Sequence, residues 1–131
     1  MLDRRIGPCY ASPITYQQRS GIMKVYHGMR TEHGCTVVVE EDGEFTGLAL
    51  RTDLRNHSPD GFEWGFGGSG PAQLALALAA DVLGDDEKAQ ELYQRLKFKL
   101  IGGLPHEGWV LTDLRLRAAL DDIERQQDRP R

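Results

Sequence analysis

The run Pro71–Leu83, PAQLALALAADVL, constrains this chain most. It is entered from a glycine-dense turn and left through Gly84. At helical spacing, Leu74, Leu78 and Val82 share one face, Leu76 and Leu83 lie opposite, and alanines fill the flanks. A helix that is apolar all round is buried all round. The rest of the chain must therefore wrap it, and the alanines predict close packing. At 131 residues the chain is one domain by size, with room for one core without disulfides or metals.

The elements around this helix can be read from period and punctuation. Three short strands are predicted: Ile22–His27; Cys35–Glu40, with its β-branched run Thr36-Val37-Val38-Val39; and Glu44–Leu50, weakened by Gly47. Asp42-Gly43 between apolar runs is a hairpin signal. The central helix should begin at Ser69 or Gly70, with Pro71 at its first helical position and Gly84 just past its end. Asp85 or Asp86 should cap a second helix, with Ala89, Leu92, Tyr93, Leu96 and Leu100 on one face, ended by Gly102-Gly103. Trp109–Leu111 reads as an added edge strand. Thr112 or Asp113 should cap a third helix that buries Leu116, Ala119, Leu120 and Ile123. The predicted fold is α+β: a small antiparallel β-meander packed on a helical hairpin, plus a C-terminal helix. Residues 1–20 form an extension, 21–126 a single domain, and 127–131 a frayed tail.

Composition limits the function classes. The net charge is −4 with 27% charged residues. This balance argues against tight duplex DNA binding, where phosphate neutralisation dominates affinity. No apolar run approaches a membrane span, and the first residues lack a secretory signal pattern. The expected location is the cytoplasm. Cys9 and Cys35 form no C-x-x-C pair, and the four histidines show no metal-ligand spacing. No cofactor, metal or catalytic residue is predicted.

Gly65-Phe66-Gly67-Gly68-Ser69-Gly70 spells G-x-G-x-x-G. A dinucleotide site needs a second parallel strand after the helix, and a second helix follows instead. No G-K-[ST] closes a phosphate loop. A weaker anion site remains conceivable. It would use the backbone of Gly67, Gly68 and Gly70, the Ser69 hydroxyl, and Arg55 or His57 for charge. The competing and preferred reading is a structural elbow, with Ser69 capping the helix. At Gly67 or Gly68 at least one positive φ, or a close contact with another backbone or ligand, is expected. His57 could act as a general base oriented by Asp53; the preferred reading is a loop pinned by its own side chains, with Asp53 paired to Arg55. Trp64 and Phe66 could stack a base or grip a partner, although aromatics in such places more often seal the core. Phe98 points away from the buried face of its helix, with Ile101 one turn on. The third helix should cover this pair; otherwise it marks an interface, in a monomer or a homodimer.

The run Asp53–Leu78, DLRNHSPDGFEWGFGGSGPAQLALAL, with Tyr26–Thr31 upstream and Leu104-Pro105 downstream, resembles a bacterial and phage family of unknown function, the domain numbered 6166. The resemblance spans residues 24–112 and omits residues 1–20 and the last helix. Phe66 stands where the family pattern has tyrosine, and Ala79 where it has leucine. The resemblance implies a small cytoplasmic protein from phage or plasmid neighbourhoods and implies no activity. The expected function is a non-catalytic protein-interaction module with an unidentified protein partner. The alternative is a small-ligand or enzymatic site at loop 65–70.

Overall fold

The computed structural model of the protein describes residues 23–127. The expected extension at residues 1–20, the start of the first strand at Ile22, and most of the expected tail lie outside that range. Strands β1 (Lys24–Thr31), β2 (Gly34–Glu41) and β3 (Glu44–Gly47) form the meander. Helices α1 (Ser69–Leu83) and α2 (Asp86–Lys99), a 3-10 turn at Ile101–Gly103, strand β4 (Gly108–Thr112) and helix α3 (Asp113–Gln127) follow. The sheet order is β3-β2-β1-β4, and all pairs are antiparallel. The fold is α+β, as the sequence predicts.

The strands differ from expectation at their ends. β1 continues past His27 to Thr31 because Gly28 and Met29 pair with both β2 and β4, and Arg30 and Thr31 with β2. β3 stops at Gly47 instead of Leu50, although Leu48 N–H still donates to Val37 O at 3.0 Å. Asp42 and Gly43 turn the second hairpin with φ of 55° and 77°, as a two-residue primed turn requires.

All residues of α1 from Pro71 to Ala80, and Val82, are buried. Tyr26, Val37, Val39, Trp109 and Leu111 of the sheet, Leu92 and Leu96 of α2, and Leu116, Leu120 and Ile123 of α3 share one buried core with it. The helix begins at Ser69 with Gly68 as N-cap and no side-chain cap, so Pro71 is the third helical residue and Ser69 does not cap. Gly84 closes it in the left-handed conformation, its N–H donating to Ala80 O. Asp85 caps α2 through Lys88 N–H, and Thr112 Oγ1 receives Arg115 N–H at the start of α3.

Gly28 shows why one strand position must lack a side chain. A Cβ there would lie 2.2 Å from Cε2 of the Trp109 indole, which rests on the β1 backbone. That indole in turn meets Trp64 edge-on, with ring centroids 5.4 Å apart. Such a T-shaped pair is the favoured aromatic geometry.

Leu78 is fully buried at the centre of these layers. Leu78→Ala is expected to cost about 2–5 kcal/mol by urea denaturation, the range of large-to-small core changes. A loss below about 1 kcal/mol, the size of an ordinary substitution, would show that α1 is not the centre of the core.

Candidate functional site

The segment from Leu48 to Gly70 has no regular secondary structure over most of its length, yet its backbone is held tightly. The holder is Gln73, which is 0% exposed inside α1. Its Oε1 accepts from His57 N–H at 2.8 Å and Ser58 N–H at 3.0 Å. Its Nε2 donates to Leu50 O at 2.6 Å and Arg55 O at 3.0 Å. Both donors and both acceptor positions of the amide are used, which is what a buried polar side chain requires. The loop is thus pinned mainly from the helix, not by its own side chains. Ser58 Oγ adds a local bond to Gly61 O at 2.7 Å.

The proposed pairings within the loop are rearranged. Asp53 pairs with Arg51, not Arg55; Arg51 also reaches Asp86 at 2.8 Å, tying the loop to α2. The Arg51 guanidinium holds the Asp53 carboxyl below the usual carboxylate range. His57 Nε2 lies 2.7 Å from Tyr93 Oη. Asp53 and His57 are thus engaged by different partners, and no acid–histidine dyad forms between them. Arg55 is exposed at the loop surface.

The second half of the loop is bound to β1. Arg30 makes two bonds to Glu63, at 2.8 and 3.0 Å, and its Nε donates to His106 O at 2.9 Å. Trp64 Nε1 donates to the same carbonyl at 3.0 Å, and the guanidinium lies 5.2 Å from the Trp64 ring centroid. Arg30 lowers the Glu63 pKa below the ordinary glutamate range. Burial, then the Glu63 charge, raises the Cys35 thiol, which is therefore no thiolate nucleophile at neutral pH. At the other end of β1, Tyr26 Oη donates to Asp81 at 2.6 Å. Burial and that carboxylate push the phenol well above its usual range.

The glycine loop is filled by the chain's own atoms. Gly65 adopts φ 87° and donates its N–H to Ile101 O at 3.1 Å. A Cβ at Gly70 would meet Glu63 Cβ at 2.6 Å, and one at Gly68 would meet the Phe66 ring at 2.9 Å. Positive φ falls at Gly65, not at Gly67 or Gly68 as expected. The glycines serve internal packing, and Ser69 is exposed at the helix start.

The aromatic candidates separate. Trp64 is fully buried and belongs to the core, so it offers no surface to a partner. Phe66 is not core: it is 51% exposed. Phe98 is 74% exposed, whereas Ile101 is fully buried. The expectation that α3 covers both therefore fails. The chain leaves α2 after Lys99 and turns inward, which carries Ile101 into the core and leaves Phe98 outside. Phe98 stands beside Gly67, with Lys97 Nζ 4.4 Å from its ring centroid.

The largest unpredicted feature is the other face of the sheet. Strand alternation places Val25, His27, Met29, Val38, Glu40, Phe45 and Val110 on the side away from the helices. Met29 is 44%, Phe45 61% and Val110 62% exposed. They border an open cavity of about 650 Å³, floored by His27 and Val38. His27 Nε2 lies 2.8 Å from Glu40 Oε1. One signal was present in the sequence: the unbroken run Val37-Val38-Val39 is apolar on both strand faces, where a half-covered antiparallel sheet usually alternates with polar residues.

These features define an α+β domain with helices on one face of its antiparallel sheet and an apolar opposite face that no described residue covers. The chain belongs to the family of unknown function DUF6166, matched over residues 26–122. That span includes most of α3, which the sequence resemblance left out. No curated protein and no solved structure matches the chain. Among the described residues, no helix is long and apolar enough to cross a membrane, and no group of His, Cys, Asp or Glu is placed to hold a metal ion.

Two outcomes follow from the loop. Gln73→Leu should destabilise the fold by more than about 2 kcal/mol, because four backbone groups lose their partner. Faster hydrogen exchange should appear at the His57 and Ser58 amides, and unchanged exchange there would contradict the pinning role. The second outcome concerns pH. A carboxyl held below its usual pKa stabilises the fold above that pKa and loses its effect as pH falls through the native value. The melting-temperature gap between wild type and Glu63→Gln should therefore be open at pH 7. It should begin to close near pH 4.3, the ordinary glutamate value, and vanish at lower pH. A gap constant from pH 7 to below the native pKa would refute the Arg30–Glu63 assignment.

Proposed function

We propose that this protein is a non-catalytic protein-interaction module whose contact surface is the helix-free face of the sheet. The observation that carries the proposal is the contiguous exposure of Met29, Phe45 and Val110 around the cavity floored by Val38 and His27. Exposed apolar clusters of this kind mark interaction sites on soluble domains. A small ligand fits the surface poorly. Ligand sites enclose roughly 70–90% of their occupant, while this trough is walled by residues that are themselves more than half exposed, Phe45 at 61% and Val110 at 62%. A macromolecular partner can cover the trough and its rims together.

The absence of a catalytic role is supported by how the reactive groups are occupied. His57 is held by Tyr93, Asp53 by Arg51, and Glu63 by Arg30. Phe66 and Phe98 supply a second, smaller exposed aromatic patch beside the glycine loop.

The reading is tested by placing a photo-crosslinking amino acid at Phe45 or at Val110 in the intact protein in its native host, with exposed Glu91 on α2 as control. Discrete adducts from Phe45 and Val110 but not from Glu91 are expected. Adducts from all three positions, or from Glu91 alone, would remove the sheet face as the contact surface.

A further inference from the structure

We infer that the partner docks a cationic amphipathic α-helix into the trough between Phe45 and Val110. The inference rests on the interaction reading above and adds the chemistry of the partner.

The first argument is shape. Phe45 stands on β3 and Val110 on β4, the two outer strands of the β3-β2-β1-β4 sheet. Their backbones lie three strand spacings apart, about 14 Å at roughly 4.8 Å each, but the Phe45 ring leans inward until its centroid is 6.1 Å from that of His27. A helix with its side chains is about 10–12 Å across. Val110, His27, Val38 and Gly47 lie in one row across the sheet. The last of these has no side chain, which leaves room for the Phe45 ring to lean over the sheet toward His27. The gap between the two side chains is therefore narrower than a whole helix and takes only its apolar stripe, against Val38 and Met29, the helix-in-groove mode of recognition.

The second argument is charge. Among the described residues of the four strands, no Lys or Arg projects from this face: Lys24 and Arg30 both point to the helix side, where they pair with Asp81 and Glu63. Glu40 does project from it, and the adjoining hairpin carries Glu41, Asp42 and Glu44. At the opposite end of β1, Glu32 is exposed in the turn. The trough is thus apolar in the middle and acidic at both ends. Glu40 uses Oε1 on His27, and an ionised carboxylate has further lone pairs for a Lys or Arg of the partner. A second copy of this chain is disfavoured by the same charges. Stacking two such faces would bring acidic rims together on a protein of net charge −4, and like-charge juxtaposition suppresses a partner.

The test uses three fluorescein-labelled amphipathic peptides of about 18 residues, long enough to populate a helix. Their apolar stripe is leucine and their polar face lysine, glutamine or glutamate. Fluorescence anisotropy is read on the full chain and on Val38→Lys, Glu40→Lys and Phe45→Ser, each checked for an unchanged melting temperature. The Leu/Lys peptide should bind, weaken with added salt, and lose about tenfold or more in affinity in each variant. The Leu/Glu peptide should not bind. If the Leu/Gln or Leu/Glu peptide binds as tightly and is lost in Phe45→Ser, the cationic partner is wrong while the docking face stands. If Leu/Lys binds all variants equally, it binds elsewhere and the inference fails. If no peptide binds, the helical cationic partner is overturned, and the photo-crosslinks at Phe45 and Val110 then decide whether the face docks anything. Light scattering supplies the remaining overturning results: a dimer lost in Phe45→Ser assigns the face to a second copy, and crosslinks from Phe45 to residues 1–22 assign it to this chain itself.

Discussion

The structure depends on one buried amide. α1 is enclosed on every side, and an enclosed helix has no room for a polar side chain without partners. Gln73 is the exception, and its four hydrogen bonds convert a liability of several unmade bonds into a clamp on the loop that crosses the helix. The loop in turn presents Glu63 to Arg30 and Trp64 to Trp109, which joins the irregular segment to β1 and β4. Removing the amide would free the loop and, through it, the aromatic packing beneath the sheet.

The same arrangement divides the surface. Every helix is committed to one side of the sheet: α1 and α3 join the core on that side, and α2 packs against α1. The loop 50–70 uses its polar side chains on itself, on α2 and on β1, while α1 holds its backbone through Gln73. Reactive residue types are plentiful in it, but Asp53, His57 and Glu63 are each engaged by another side chain. Among the described residues, the helix-free face of the sheet and the smaller Phe66–Phe98 patch are where apolar surface remains exposed. That asymmetry, more than any motif, is what points to a partner.

The glycine loop illustrates how a motif can mislead. Its spacing matches a phosphate cradle letter for letter, yet Gly65 turns the chain toward Ile101, and Gly70 lets α1 approach Glu63. Glycine density reports close approach of something to the backbone. Sequence alone does not say whether that something is a ligand or another part of the same chain.

Much of the fold was legible in the sequence, because it is local. The all-apolar period of α1, the Asp42-Gly43 turn, the Asp85 and Thr112 caps and the α3 face with Leu116, Leu120 and Ile123 each follow from residues within one or two turns of one another. What tertiary structure decided were the pairings across long separations: Arg51 with Asp86, Arg30 with Glu63, and Gln73 with the loop at Leu50 and His57. Several groups of the right type compete for each partner, and only the packing of elements selects one. The fate of Phe98 was of the same kind, since the inward turn at Ile101 separates two residues that helical spacing had placed together. The face proposed for docking was half legible. Val37-Val38-Val39 announces a strand apolar on both sides, but which side the helices cover depends on strand order, and that is a property of the assembled sheet.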